Sequence, residues 1–559
     1  MALRKRRSFQ LPLLFLVAGP LLLLAHCATD PSRQNRASPE AAVSLPPNGW
    51  TEQKKASHAL SRLAFGSSPD EQREIAALGV QGWIDRQLHP RQIPDELLAD
   101  KLRAFPILTR SSEELEDEFP LPQARAKMLG LDPGSQEART LIEGIPKEEL
   151  PQQIDVQMLG AKMVRAVESR RQLEEVLTDF WFNHFNVSID KGPVRWMATS
   201  YERDAIRPHV FGYFRELLAS TAHHPAMLFY LDNWLSVRDR TPIELRRLQN
   251  DPKRNGAPPP GLNENYAREL LELHTLGVNG GYVQKDVRET ARAFTGWTID
   301  EPNRKATFLY RDQAHDKEAK TVLGLAIARG GGISDGDRVL ELLSNHPSTA
   351  RFIATKLCRK FVSDSPPAEL VDRISKVFLK TGGYLPSVYA AIFSSPEFWS
   401  DQAFAAKTKT PLEFAVSAVR ALGGVTSGDA ALGYQLERLG EPLYRSQPPT
   451  GYPDTADSWV NAGALVNRLN FGLMLAGNRI HGTTVDLRGH VKRRGPKPDL
   501  DAATDALAAL ILQHPLTPQT RRTVQTALGA VEGERPQDGE HRPIDVPVLA
   551  GLLLGSPEF

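Results

Sequence analysis

Apolar residues recur at helical spacing along most of the chain, and only two short runs read as strands. The first helical pattern covers 56–65. Ser68, with Glu71 three residues on, then predicts a capped start for helices over 70–78 and 80–88. Residues 107–155 are acidic, proline-interrupted and weakly periodic, which predicts a surface excursion of short helices. From Val156 the pattern strengthens: one helix over 157–185, then helices over 199–219 and 223–233. A proline-rich loop at 247–262 leads into a central helix at 263–277, and another helix follows at 287–294. Thr307–Tyr310 and Thr321–Leu323 are the strand candidates, flanking Ala314-His315-Asp316-Lys317 in a small hairpin. Helices resume at 335–345, 348–362, 368–380 and 385–393, and again at 411–422, 430–438, 459–478, 501–513, 517–530 and 545–554. Residues 441–458 read as a long ordered loop and 486–500 as a basic, solvated one. No repeat of 20–50 residues is present. The pattern predicts a mainly α fold: one large multi-helix domain over 53–559 with at most a small β-hairpin.

The central helix concentrates the chemistry. At 100° per residue, Tyr266, Ala267, Leu270, Leu271, Leu273 and His274 share one arc, while Glu264, Asn265, Arg268, Glu269, Glu272 and Thr275 share the other. His274 therefore points into the core or a core-lined pocket. Glu264, Arg268 and Glu272 form an i, i+4, i+8 ladder that fits an ordinary ion-pair stripe. If the polar arc is buried as well, Asn265, Glu269 and Glu272 line a ligand or metal site, with Arg268 a further ligand-binding candidate. Gly277 suits a left-handed helix end.

Composition narrows the class. The chain has 559 residues, 41% hydrophobic and 24% charged, which is globular rather than disordered or polytopic. The formal charge of +1 gives no basic field to recommend nucleic acid as a partner. Cys27 and Cys358 are the only cysteines, too few for a disulfide framework or a CxxC zinc site. Arg4-Lys5-Arg6-Arg7 followed by the apolar run Leu11 to Ala25 reads as an export signal over 1–27, with Arg6-Arg7-Ser8-Phe9 fitting the twin-arginine pattern. Leu24-Ala25-His26-Cys27 is similar to a lipobox with His26 in the place of a small residue. The expected location is the periplasm, outer membrane or cell surface, with membrane contact only through an amino-terminal lipid anchor. Residues 28–52 are polar and rich in Ser, Pro and Asn, the composition of a flexible tether.

Asn183-His184 lies between Phe182 and Phe185, where a buried polar group needs a hydrogen-bond partner. One reading is a core network. The other is convergence of His184, His274 and His315 with Glu269 or Asp316 on a divalent metal. No HExxH is present, and Glu272 and His274 are two apart rather than three. A hydrolytic centre could take His184 or His274 as base, Arg268 or Arg292 as anion clamp and Glu289 as acid, with Asn183 binding ligand. No Gly-x-Ser-x-Gly elbow and no P-loop lysine accompany these residues.

Several segments together resemble one family. They are Phe180-Trp181-Phe182-Asn183-His184-Phe185, Pro225 to Asn233, Asn263 to Gly277, Gly280-Gly281-Tyr282, Ala291 to Trp297, His315-Asp316, His346 to Ala350, Pro411-Leu412-Glu413-Phe414 and Gly451-Tyr452-Pro453-Asp454. From about residue 57 onward the chain is similar to the bacterial domain-of-unknown-function 1800 family. That resemblance implies no assigned activity. It does imply export, and a protein partner in the form of an exported alkaline-phosphatase- or sulfatase-like protein encoded nearby. Two functions follow: a scaffold or partner of that protein, or a metal-assisted periplasmic or surface hydrolase of an anionic or polymeric substrate.

Overall fold

Helix starts are where local sequence and structure agree most closely. Ser68 accepts a hydrogen bond from the Glu71 N–H ahead of the helix Pro69–Gln87, and Thr410 and Glu413 close a reciprocal capping box on Pro411–Ala421. The computed structural model describes residues 41–250, 261–492, 500–532 and 544–559. The export signal, Cys27, the first part of the tether, residues 251–260 of the proline-rich loop and 493–499 of the basic loop lie outside the described residues. Among the described residues helices dominate, and the strands form three two-stranded antiparallel ladders. The architecture is mainly α. Among the described residues no helix is long and apolar enough to cross a membrane.

The departures from the sequence pattern have local causes. The helix expected over 157–185 is two, Gln152–Glu168 and Gln172–His184. Ser169 is extended between them, and the buried Gln172 amide donates to the carbonyls of Ala166 and Ser169, satisfying acceptors that a broken helix leaves over. The expected helix at 199–219 is interrupted by a π turn at Tyr201–Ile206 and resumes as Phe214–His223. The two strand candidates exist but do not pair with each other. Trp297–Asp300 pairs with Thr307–Tyr310, and Lys320–Val322 pairs with Leu325–Ile327. Leu323 (φ 48°) and Gly324 (φ 81°) supply the two positive φ values that a tight hairpin turn needs. Within the expected basic loop, Leu487–Lys492 is helical.

The tether is packed from Ala41 onward. Ala41 and Val43 are buried, the Val43 N–H donates to Asp85 (2.8 Å), and Asn48 donates to the Trp399 carbonyl (3.2 Å). The excursion over 107–155 also reaches the core, since Ile107, Leu115 and Phe119 are buried and the Phe119 carbonyl accepts from the Trp196 indole (3.0 Å). The centre of the fold holds Trp181, Tyr389 and Tyr266, all fully buried. The Trp181 indole donates to the Tyr389 hydroxyl (2.7 Å), which donates onward to the Val210 carbonyl (3.0 Å).

The central helix is short. It runs as an α-helix over Asn265–Glu269 and continues as a π turn over Leu270–Thr275. A π turn adds a residue to the cycle, so the 100° wheel fails beyond Leu270. Thr275, assigned to the polar arc, is fully buried and donates five residues back to the Leu270 carbonyl (2.6 Å), while Leu273, assigned to the apolar arc, is only half-buried. The ladder slips for the same reason: Arg268 meets Glu264 at 3.5 Å, but Glu272 accepts from the Tyr282 hydroxyl instead (3.1 Å). Gly277 ends the turn at φ 81°, where an added Cβ would sit 2.9 Å from the Phe352 ring. Gly281 (φ 90°) has open space around it. Both positions resist alanine by roughly 1 kcal/mol of backbone strain. Urea denaturation should therefore show Gly277→Ala costing about 1 kcal/mol more than Gly281→Ala, and equal costs would mean that the Phe352 contact is not limiting.

Candidate functional site

The helix Gln172–His184 ends with its polar side chains among rings. His184 is buried beside Phe180, Trp181 and Phe185, and its Nε2 donates to the His274 carbonyl (3.1 Å). The two imidazole centroids are 6.3 Å apart. His184 Nδ1 and His274 Nε2 have no hydrogen-bond partner. Burial, reinforced by the Lys356 charge, holds His184 well below the ordinary imidazole range and His274 down at about 3, so both are neutral. These two predicted site residues are brought together.

Asn183 faces the other way, towards the proline-rich loop at 441–458. Its amide donates to the Tyr452 carbonyl (2.9 Å) and accepts from the Tyr452 N–H (2.7 Å), as a paired strand would. Gly451 (φ 71°) is required here, because a Cβ would lie 2.3 Å from the Asn183 carbonyl oxygen. Asn186 donates to the carbonyls of Ser446 and Pro448 (2.9 and 3.0 Å). The expected ligand-binding role of Asn183 is thus taken by a loop of the same chain.

Arg292 is likewise committed. Its Nε and Nη2 donate to the two oxygens of Asp316 (2.7 and 3.1 Å), and Nη1 donates to both oxygens of Glu289 (2.9 Å each) and to the Ala319 carbonyl (3.2 Å). Burial disfavours charge on Asp316, yet these bonds outweigh it and hold the carboxyl below its ordinary range. The guanidinium is thus held between two carboxylates of the same chain, with Glu289 as one of them, rather than presented free to a substrate anion. His315 does not stand in an open loop. It is fully buried, with Nδ1 donating to the Thr295 carbonyl (2.8 Å) and Nε2 3.1 Å from Asp335, whose same oxygen accepts from Lys320 (2.7 Å).

Asn265 donates to the Leu231 carbonyl (3.2 Å), and Arg268 spans Glu264 and Gln284. Glu269 is half-buried, and burial together with the neighbouring Glu272 charge raises its carboxyl above the ordinary range. The metal set proposed from sequence, His184, Glu269, His274, His315 and Asp316, is not assembled. His315 and Asp316 are spent on Asp335 and Arg292, and among the described residues no three His, Cys, Asp or Glu side chains gather as metal ligands.

Sequence reasoning missed a second cluster, beneath the 441–458 loop. Lys162, buried in the helix Gln152–Glu168, lies 3.0 Å from Asp179 and 3.8 Å from Glu202. Arg207 grips Glu175 through two nitrogens (2.7 and 2.9 Å) and reaches Glu202 (3.1 Å), which also accepts from the Tyr444 hydroxyl (2.8 Å). Burial opposes charge on Glu202, but Lys162 and Arg207 overcome it and draw the carboxyl down to about 2. Lys360 bonds Glu413 (2.6 Å). Lys162, Asp179, Lys360 and Tyr444 of this cluster, with Asn183 and Glu441, border a chamber of about 50 Å³. A lysine alone in the apolar run Met158 to Val164 was the available signal.

Glu441 is the outlier. Its Oε2 accepts the Leu412 N–H (2.8 Å), and burial, with Asp179 nearby, pushes its carboxyl from 4.5 up to about 8. In the unfolded chain it ionises near 4.5, so its contribution to stability is full below that pH, shrinks as pH rises and is lost above about 8. Calorimetry between pH 4 and 9 should show Glu441→Gln raising Tm at pH 8 and leaving it unchanged at pH 4. An equal shift at both pH values would contradict the neutral, buried carboxyl.

Comparison with curated proteins and with solved structures finds no match. A family model described as "Protein of unknown function (DUF1800)" matches residues 58–559, nearly the whole chain. With that span matched, the chain belongs to the DUF1800 family of proteins of unknown function.

Proposed function

We propose that this protein is exported and serves as a scaffold or partner for another exported protein, its dense polar motifs holding the fold rather than a substrate. One observation carries the reading: Arg292, Glu289, His315, Asp316 and Asn183, which sequence would place in an active centre, are engaged by partners within the chain, while His184 and His274 each keep one unpartnered ring nitrogen in the buried core. Arg292 is matched to Asp316 and Glu289, both ring nitrogens of His315 are engaged, and both polar atoms of the Asn183 amide hold Tyr452. A metal-assisted hydrolase using these residues would need several of those contacts broken first, each leaving a buried polar group unpaired at about 1–3 kcal/mol. The partner proposed is the alkaline-phosphatase- or sulfatase-like exported protein expected to be encoded nearby. The location proposed is the periplasm, outer membrane or cell surface, with lipid at Cys27 as the anchor.

Purified chain and that partner should form a stoichiometric complex by light scattering, with a Kd of about 1 μM or tighter, and chelator should change neither the complex nor its Tm. Failure to associate, joined to metal-dependent hydrolysis by the chain alone that His274→Gln abolishes, would replace this reading with the enzymatic one.

A further inference from the structure

The walls of the chamber under the 441–458 loop differ from the sealed clusters around Arg292 and His315. Asp179 places one oxygen on Lys162, yet its side chain keeps a quarter of its surface accessible, whereas the Lys162 side chain is 4% exposed. Glu441 and Lys360 also face the space, as do the rings of Phe180, Phe182 and Tyr452. We propose that this chamber binds a small uncharged polyhydroxy ligand, a vicinal diol such as the end of a polyol or a sugar.

Three observations select that chemistry, independently of the scaffold reading. The first is charge. Each ammonium on the wall already has a carboxylate, Lys162 with Asp179 and Lys360 with Glu413 at 2.6 Å, so a charged ligand would leave one buried ion unmatched while a neutral one disturbs neither pair. The second is hydrogen-bonding capacity. Asp179 is an acceptor with an oxygen to spare, and the ammoniums of Lys162 and Lys360 have N–H groups beyond those their carboxylates use. Glu441, held protonated by burial below about pH 8, adds an O–H donor. A hydroxyl both donates and accepts, so two adjacent hydroxyls satisfy the acceptor and the donors together, while the aromatic walls cover the carbon atoms. The third is size. About 50 Å³ holds roughly three or four water-sized groups, enough for a diol arm and too little for a whole ring.

The site is also preformed. Asn183 and Asn186 fix the roof at Tyr452, Ser446 and Pro448, the Ile189 N–H donates to the Tyr444 carbonyl (3.0 Å), and Tyr230 donates to the Gln447 carbonyl (2.6 Å). Tyr444 is held at φ 63°, in the left-handed region that a tyrosine enters only when its surroundings over-determine it. A ligand entering such a roofed space orders little that is not already ordered.

Saturation-transfer NMR on the full mature chain tests this with glycerol and ethylene glycol as probes, and with 1-propanol, acetate and methylammonium as controls. Glycerol should give a saturable signal that ethylene glycol competes away and the three controls do not. Asp179→Asn should weaken it about tenfold by removing the acceptor, and Leu443→Trp should abolish it by filling the chamber from its apolar wall without touching an ion pair. Should Asp179→Asn fail to fold because Lys162 loses its partner, the Leu443→Trp chain and the probe comparison decide alone. Equal signals from 1-propanol, a glycerol signal that survives Leu443→Trp, or no saturable signal from any probe would overturn the proposal and leave a chamber that holds water only.

Discussion

Most charges taken into the described interior are matched where they lie, and the arrangement of helices follows from where those matches can be made. An ionised group moved out of water costs several kcal/mol unless a partner and further hydrogen bonds stand beside it. Arg292 therefore joins one helix to the loop of Asp316, and Arg420 pairs with Glu71 across 349 residues of sequence. Arg207, Glu175, Glu202 and Lys162 knit helices on either side of the aromatic core. Such pairs add little net stability compared with apolar packing of the same volume, but losing one partner is severe, so they select one arrangement of helices over its competitors.

Local physics made the helices legible. Ser68, Thr410 and the proline at the start of Pro347–Phe361 announce helix starts through neighbours three or four residues away, and those boundaries agree with the structure to within a few residues. Thr307–Tyr310 and Thr321–Val322 were legible as strands, but pairing was not: Thr307–Tyr310 chose Trp297–Asp300, whose apolar-polar alternation runs for only four residues shortly after a helix. The π turn at Leu270–Thr275 was invisible because the wheel assumes one fixed periodicity, and it reverses the environments of Leu273 and Thr275. His274 lies within the same turn and is nevertheless buried, as its apolar arc predicted.

The site was legible in part. The sequence picks out Asn183, His184, Arg292 and His315 as unusual residues, but whether such a side chain meets a ligand or a carbonyl of its own chain depends on contacts made 20 to 270 residues away, as with Asn183 and Tyr452. The Phe180–Phe185 and Gly451–Asp454 segments, singled out in the sequence, touch: one carries the amide and the other the glycine that lets the backbone reach it. The charged chamber beside them was missed because Lys162 and Asp179 lie on consecutive helices while Glu441 and Lys360 come from far along the chain, and together they form no motif.

The central claim is that the polar groups of these motifs are coupled to one another rather than held free for a substrate. A double-mutant cycle on Arg292→Gln and Asp316→Asn, read by urea denaturation, tests it most directly. The account predicts a coupling free energy of about 2 kcal/mol. Single-variant costs that simply add, to within about 0.5 kcal/mol, would contradict it.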